Sequence, residues 1–175
     1  MSKIYFIGDL HFGDETIIQL ERRPFKNVAE QTETFVENWN KVVAEDDEVY
    51  VLGDVIHSDL TPQFEKALKD LNGKKYLIKG NHDIFPNSFY FNNCGFDKIY
   101  DHPIIVEDFW ILSHEPMYVN ENFPYANIFA HVHNNPIYKT HSARHYCVSA
   151  ERINYTPISF DKIKSVLSND SLPNK

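Results

Sequence analysis

Residues that can bind metal follow five short apolar segments of the chain, at the point where each segment ends. The segments are residues 3–8, 48–52, 75–79, 110–112 and 128–130, and the polar residues after them are Asp9, His11, Asp54, Asn81, His114, His131 and His133. Short apolar runs that end at glycine or polar residues indicate buried β-strands. Ligands bind at the carboxyl ends of the strands in open α/β sheets. We therefore expect the seven side chains to meet at one site.

Each of these residues has an ordinary explanation when it is taken alone, because Asp and Asn are common in turns and a lone histidine is usually structural. Five strand ends with the same chemistry make coincidence a poor explanation. The spacing of two in Asp9-x-His11 and His131-x-His133 predicts that both side chains of each pair share one face, if the strand continues through them. Oxygen and imidazole ligands without thiolate suit Mn²⁺, Fe or Zn²⁺. Seven donors exceed one four-coordinate ion, and they divide into two sets of four if one carboxylate bridges two ions.

Two helices are predicted between the first three strands. The first follows a capping box at Asn27 and Glu30, and the second begins at Thr61-Pro62 and ends at Gly73. Their apolar residues recur at helical spacing, as Phe35, Trp39 and Val42 in the first helix and Phe64, Leu68 and Leu71 in the second. This β-α-β-α-β order predicts parallel strands joined by crossover helices.

The second half of the sequence has short strand candidates at residues 104–106, 110–112, 128–130 and 146–149, with little helix between them. A last helix is predicted for residues 160–167, with Ser159 as its cap. We expect an α/β (α+β) fold in which helices flank a two-sheet β-sandwich.

Length and composition predict one domain over residues 1–175, with a core that needs no disulfide. The net charge of −8 argues against binding to long nucleic acids, but small phosphorylated substrates remain compatible because bound cations reverse the local charge. Cys94 and Cys147 are too few for a disulfide framework. The N-terminus has no signal-peptide pattern and no apolar run suits a membrane span, so we expect a cytoplasmic protein without membrane partners.

The motifs GDLH, GD, GNHD, SH and AHVH, in this order between Asp9 and His133, resemble the calcineurin-like metallophosphoesterase superfamily. The segments RRPFKN, LNGKKYLIKGNHD and NYTPISFDKI resemble its small bacterial and phage members, which extends the resemblance to nearly the whole chain. Two departures stand out. Ala130 replaces the glycine that often precedes the last His-x-His, and His57 lies where many relatives have Asp or Asn.

This resemblance implies a metallophosphoesterase-like four-layer fold with a dinuclear centre at the strand ends. It implies two sets of ligands with Asp54 as the bridge, namely Asp9, His11, Asp54 and His133 for one ion and Asp54, Asn81, His114 and His131 for the other. The expected ions are divalent, with Mn²⁺ preferred and Fe, Zn²⁺ or Ni²⁺ as alternatives. The expected reaction is hydrolysis of a small phosphoester or nucleotide-like substrate, with a phosphodiester favoured, by attack of a metal-bridging hydroxide.

Four further residues are candidates for the reaction. We expect His82 to protonate the leaving group or to neutralise charge on the phosphoryl oxygens, with Asp83 fixing its orientation. The alternative for His82 is a turn histidine. Arg22 and Arg23 could bind the substrate phosphate as a fork, and the alternative for them is a solvated helix end.

Two other functions fit the same resemblance. Some relatives use the fold as a non-catalytic protein-binding scaffold, but such proteins typically lose ligands that this chain retains. A nuclease is the other alternative. Recombination-repair nucleases of this type carry additional DNA-binding domains and basic surfaces, so here a nuclease would act on short nucleic acids.

Overall fold

A computed structural model describes residues 2–57, 62–120 and 122–169. Its elements in chain order are β1 (Ile4–Ile7), α1 (Glu15–Leu20), α2 (Val28–Val42), β2 (Glu48–Leu52), α3 (Pro62–Lys69), β3 (Lys74–Ile78), α4 (Asn87–Asn92), β4 (Lys98–Tyr100), β5 (Ile104–Val106), β6 (Trp110–Leu112), β7 (Ala126–Phe129), β8 (His141–Ser142), β9 (His145–Cys147), a 3₁₀ helix (Ala150–Ile153), β10 (Ile158–Ser159) and α5 (Phe160–Asn169). Within the described ranges, no helix is long and apolar enough to cross a membrane.

The first sheet has the strand order β10-β1-β2-β3-β4. Strands β1 to β4 are parallel, and β10 is antiparallel to β1. Helix α2 lies between β1 and β2 in the chain, and α3 lies between β2 and β3. The predicted parallel strands with crossover helices are confirmed, so the carboxyl ends of β1, β2 and β3 lie at one edge.

The second sheet has the strand order β5-β6-β7-β9-β8, in which β6, β7 and β9 are parallel. It joins the first sheet at Gly8, which pairs with Ser149 in a parallel bridge. The Gly8 N–H donates to the Val148 carbonyl at 3.0 Å, and the Ala150 N–H donates to the Gly8 carbonyl at 3.1 Å. The edges of both sheets that carry the predicted donor residues are therefore adjacent, and the predicted fold class is confirmed.

One hydrophobic cluster includes buried residues of both sheets and of helices α2, α3 and α5. On this ground we propose that the chain is a single domain. In α2 the predicted core residues Phe35 and Trp39 are buried, whereas Val42, the last residue of the helix, is half-buried. The next residue, Val43, is only 2% exposed, but it lies past the helix end in an extended conformation with φ −99° and ψ 125°, so its burial does not follow the helical repeat.

The predicted helix boundaries are partly correct. Asn27 Oδ1 accepts the Glu30 N–H at 2.9 Å, whereas the Glu30 carboxylate accepts the N–H of Lys26 and not that of Asn27. The Ser159 hydroxyl accepts the Lys162 N–H at 3.3 Å, as expected of a cap, and α5 continues to Asn169.

Helix α3 ends at Lys69 rather than at Gly73. Gly73 instead adopts a left-handed φ of +84° before β3, and the predicted start at Thr61 lies outside the described residues. The sequence did not predict several short elements, because segments of two to six residues have no periodic signal. These are α4, β4, β8, the 3₁₀ helix and β10.

Gly8 is needed where the two sheets meet. A Cβ atom added to Gly8 would overlap Ala130 Cβ and would lie 2.8 Å from the Leu52 carbonyl oxygen. Ala130 therefore fits at its position because the residue facing it is a glycine.

We predict that Gly8→Ala lowers the free energy of unfolding by about 1–3 kcal/mol, as overpacking of a dense core does. Adding Ala130→Gly is expected to restore only part of the loss, because the contact with the Leu52 carbonyl remains. Urea unfolding of both variants and of Ala130→Gly alone measures this. A Gly8→Ala protein with an unchanged or raised urea midpoint would show that the junction has free space.

Candidate metal centre

The structure brings the seven predicted metal-binding side chains together at the carboxyl ends of β1, β2, β3, β6 and β7. Asp9, His11 and His133, here called the first donor group, each offer one donor atom within 4.8 Å of the others. Asp54, His114 and His131, the second donor group, do the same. The two groups agree with the division that the sequence resemblance implied. Their binding of metal stays a prediction.

Asp54 lies between the two donor groups. Its Oδ2 atom is 3.5 Å from His11 Nε2 and 3.3 Å from His114 Nε2. Its other oxygen, Oδ1, accepts the His82 N–H at 2.9 Å. One carboxylate oxygen thus faces one imidazole of each group, which is the arrangement expected of a bridging ligand.

The remaining donors converge on His114. Its Nε2 atom lies 3.0 Å from Asn81 Oδ1 and 3.0 Å from His131 Nδ1. Lone-pair atoms at these distances attract one another only with a proton or a cation between them. In the described part of the chain, the buried His11 Nε2 atom has no hydrogen-bond partner. The residues present therefore fit a divalent cation in each donor group.

The donor residues lie in strained turns rather than in continued strands. Five of them have left-handed φ values of +45° to +69°, namely Asp9, His11, Asp54, His131 and His133. The sequence predicted that the strands continue through Asp9-x-His11 and His131-x-His133, so that alternation puts both side chains of each pair on one face. This prediction was wrong about the backbone, because these residues lie in turns. A non-glycine residue in this region costs on the order of 1–3 kcal/mol.

Hydrogen bonds between loops maintain these turns. The Asp9 N–H donates to the Gly53 carbonyl at 3.0 Å, and the His11 N–H donates to the Asp54 carbonyl at 2.9 Å. The His131 N–H donates to both carboxylate oxygens of Asp9, at 2.9 and 3.1 Å. Each donor loop is therefore fixed by another donor loop.

Three histidines are oriented through Nδ1, which leaves Nε2 for the centre. His11 Nδ1 lies 3.4 Å from Asp14 Oδ2, His133 Nδ1 lies 3.0 Å from Glu151 Oε1, and His114 Nδ1 lies 2.8 Å from a backbone carbonyl, that of residue 52. Carboxylate or carbonyl partners of this kind fix the tautomer and the ring orientation of metal-binding histidines. The hydrogen bond from His11 is the main reason that the pKa of Asp14 falls to about 2.

The histidines and carboxylates of the centre shift one another's pKa values. Burial opposes the charged form of His114, but the nearby carboxylates of Asp54 and Asp9 outweigh it and raise the pKa of His114 to about 9. Burial likewise would raise the pKa of Asp54, but His114 and His11 lower it to about 2. The negative charge of the buried carboxylates therefore favours a positive charge among the donors.

His82 is exposed, and its ring centroid lies 5.2 Å from that of His11. It borders a cleft of about 380 Å³ together with residues of both donor groups. It is therefore placed where a substrate bound to the centre would be within its reach.

Asp83 does not have the orienting contact predicted for it. Its carboxylate accepts the N–H groups of Asp54 at 2.8 Å, Val55 at 3.0 Å and Gly80 at 2.8 Å. These contacts fix the Asp54 turn against the Gly80 turn rather than the ring of His82. The prediction was wrong because the local motif GNHD does not show that the Asp83 carboxylate accepts hydrogen bonds from backbone N–H groups of the distant Asp54 turn.

The two arginines differ from each other. Arg22 is exposed, with φ +52°, and follows Glu21, which lines the cleft. Arg23 is only 4% exposed, and its guanidinium binds Glu151 and backbone carbonyls. Arg23 is therefore neither part of a phosphate-binding fork nor a solvated helix end. Two adjacent arginines in a sequence carry no signal that one of them is buried, so this outcome was not predicted.

Sequence reasoning missed Asp14 and Glu151. Glu151 had a signal, since it follows the predicted strand of residues 146–149 as the other donors follow theirs. Asp14 was hidden by its second role, because it also caps α1 through the Thr16 and Ile17 N–H groups.

Three other polar features of the sequence have defined positions in the structure. His57 lines the cleft. Arg144 donates to the carbonyls of Phe123 and Tyr125. The left-handed Asn154-Tyr155 pair closes over Arg23, with the guanidinium 5.9 Å from the centroid of the Tyr155 ring.

The chain is similar to a known protein family and to individual proteins along most of its length. A family model described as calcineurin-like phosphoesterase matches residues 2–174. The uncharacterized protein MJ1445 of Methanocaldococcus jannaschii is 36% identical over 176 residues, covering 95% of this chain and 92% of that protein. The Gene 66 protein of Mycobacterium phage L5 is 35% identical over 85 residues, which is 47% of this chain and 41% of the phage protein.

Among solved structures, the protein of unknown function AQ665 from Aquifex aeolicus is similar, with a TM-score of 0.74 and 28% identity. The match covers 95% of this chain and 100% of that one. The chain therefore belongs to the calcineurin-like phosphoesterase family, and it is a metal-dependent phosphoesterase.

Proposed function

We propose that the protein hydrolyses a small phosphodiester at a centre of two divalent ions, with Mn²⁺ as the preferred metal. The observation that carries this proposal is the position of Asp54 Oδ2, 3.5 Å from His11 Nε2 and 3.3 Å from His114 Nε2. A two-ion site needs a carboxylate oxygen that lies close to the ligands of both ions, whereas a one-ion site has no such requirement.

In this proposal the first donor group and Asp54 hold one ion, and the second donor group and Asn81 hold the other. When bound, two such ions activate a water molecule for attack and neutralise charge on the phosphate oxygens. The protein's own contribution is to fix the donors, which the hydrogen bonds between their loops support.

His82 is proposed to act on the substrate without binding metal. Its backbone N–H is fixed by Asp54 Oδ1 while its ring is exposed to the cleft. A protonated imidazole there would donate a hydrogen bond either to a phosphoryl oxygen or to the leaving-group oxygen.

The charge of the cleft favours a diester over a monoester. Among the described residues that line it, there is no Lys or Arg, whereas Asp14 and Glu21 are acidic. A diester carries one negative charge at its phosphate and a monoester carries up to two. Histidines and two divalent ions are sufficient for the single charge, and the acidic wall disfavours the second.

A second cleft supports the same choice. It has a volume of about 300 Å³, and its lining includes Asn81 and His114, apolar residues such as Met117, and the charged Lys79 and Glu115. Asn81 also borders the first cleft. A phosphate that lies at the donor groups would have one cleft available for each of two ester substituents.

The complete donor set argues against the scaffold alternative. Arg22 does not line the first cleft, and it remains a proposed contact for a substrate group outside that cleft, because it is exposed next to Glu21. We propose the cytoplasm as the location, since Cys94 and Cys147 are both unpaired and buried.

We predict that purified protein with Mn²⁺ hydrolyses bis-p-nitrophenyl phosphate faster than p-nitrophenyl phosphate. A chelator should abolish the activity and added Mn²⁺ should restore it, because the donor groups need their ions. The assay is repeated with Zn²⁺ and Mg²⁺, and a dinucleoside monophosphate tests for action on short nucleic acids.

Two outcomes would contradict the proposal. Folded protein that hydrolyses neither ester with any of these metals would favour the scaffold. Faster hydrolysis of the monoester would contradict the charge argument for a diester.

We predict that His82→Ala retains both metal equivalents and loses about 10²- to 10⁴-fold in kcat for a diester with an alkyl leaving group. A general acid matters less for p-nitrophenolate, which leaves without a proton. A smaller loss with that leaving group would therefore indicate proton donation, and equal losses would indicate stabilisation of charge on the phosphoryl oxygens.

The matched control is His141→Ala, which removes an exposed histidine from the edge strand β8. It is expected to keep wild-type kinetics and metal content. Loss of metal in His82→Ala, measured by elemental analysis, would contradict the division between metal-binding residues and His82.

A further inference from the structure

Arg23 is a buried cation that the proposed reaction does not use. Its Nε atom donates to Glu151 Oε1 at 2.8 Å, and its two terminal nitrogens donate to the carbonyls of Leu10 at 3.1 Å and Asp9 at 2.6 Å. A further hydrogen bond of 3.0 Å reaches Gln31 Oε1. Arginine is almost never fully buried unless it is paired, so this set of acceptors is what allows the charge to remain inside.

The acceptors of Arg23 belong to the first donor group, adjoin it in the chain or contact it. Glu151 Oε1 accepts from Arg23 and also contacts His133 Nδ1 at 3.0 Å. Gln31 Nε2 donates to the His11 carbonyl at 3.1 Å. The network therefore touches the backbone of residues 9, 10 and 11 on one loop and the ring of His133 on another.

The Arg23–Glu151 pair joins parts that are distant in the chain. Its two members are 128 residues apart, and the side chains are 0% and 1% exposed. The aromatic rings of Phe35 and Tyr155 lie 6.0 and 5.9 Å from the guanidinium carbon. An ion pair excluded from water in this way keeps a fixed geometry, which a solvent-exposed pair does not.

The second donor group has other supports. His114 Nδ1 is 2.8 Å from the Leu52 carbonyl, and the Asp54 N–H donates to Asp83 at 2.8 Å. These contacts belong to β2 and to the Gly80 turn rather than to Arg23. The hydrogen bonds of Arg23 and Glu151 therefore reach the first donor group directly, whereas the second donor group is linked to them through Asp9, whose carboxylate accepts the His131 N–H.

We infer that Arg23 and Glu151 are positioning residues that set the metal affinity of the first donor group, and that the second donor group keeps its affinity without them. This inference rests on the proposed two-ion centre. Glu151 contacts His133 Nδ1, which leaves Nε2 to bind an ion that the first donor group would hold, and Arg23 holds both Glu151 and the left-handed Asp9 turn in place.

Two variants separate positioning from folding. Glu151→Gln keeps the shape of the side chain and removes its charge. The double variant Arg23→Met with Glu151→Leu replaces the ion pair by apolar side chains, an exchange that is often neutral for stability. Lys75→Met is the matched control, because it removes another buried cation at the start of β3, the end of the strand away from the donors.

Mn²⁺ is titrated into chelator-treated full-length protein, and calorimetry gives the affinity of each equivalent. Electron paramagnetic resonance distinguishes an isolated Mn²⁺ ion from an exchange-coupled pair, and urea unfolding gives the stability of each variant. In the two test variants, one equivalent is expected to bind about 10- to 100-fold more weakly. The first equivalent should then give the signal of an isolated ion, while Lys75→Met binds both equivalents as the wild type does.

Three results would overturn the inference. If folded Glu151→Gln and the double variant bind both equivalents with wild-type affinity, the pair serves stability alone. If the affinities of both Mn²⁺ equivalents fall by the same factor, the inference that the pair acts on the first donor group alone is wrong. If the wild-type protein binds fewer than two equivalents, the proposed two-ion function fails first, and this inference fails with it.

Discussion

The Asp54 carboxylate is 2% exposed and lies between His11 and His114, the imidazoles of two different donor groups. A buried carboxylate without compensating positive charge or hydrogen bonds would cost several kcal/mol. Here its Oδ1 atom accepts the His82 N–H, and Asp83 accepts the Asp54 N–H. These contacts attach the Gly80 turn to Asp54, and the His11 N–H donates to the Asp54 carbonyl, so the position of Asp54 constrains donors of both groups.

The fold provides the means of holding Asp54 there. Parallel strands bring their carboxyl ends to one edge of each sheet, and the junction at Gly8 brings the two edges together. Five left-handed donor residues destabilise the apo protein, since each costs on the order of 1–3 kcal/mol. Networks such as Asp83 with the Asp54 turn and Arg23 with the Asp9 turn offset this strain, which gives these buried charges around the centre a structural role.

The sequence alone predicted the parts that rest on chemistry repeated along the chain. The strands before Asp9, Asp54 and Asn81 end in polar residues, and the rule that ligands bind at such ends was enough to place the site. Phe35 and Trp39 likewise had a clear helical spacing. These predictions depend on local patterns, and the structure agrees with them.

Other features depend on contacts between distant residues, which no local pattern reveals. Asp83 follows His82 in the chain, yet its carboxylate binds the backbone of the Asp54 turn, 29 residues away. Arg23 resembles its exposed neighbour Arg22, yet it is buried against Glu151, 128 residues away. The turns at Asp9-x-His11 and His131-x-His133 were predicted to be strand, because a spacing of two in the sequence does not show whether φ is negative, as in a strand, or positive, as in these turns.

The central claim is that Asp54 bridges two ions, and anomalous X-ray scattering from crystals grown with Mn²⁺ tests it most directly. At the manganese absorption edge, two peaks are expected roughly 3.5–4 Å apart, one beside the first donor group and one beside the second, with Asp54 Oδ2 contacting both. A single peak, or two peaks of which Asp54 contacts only one, would contradict this account.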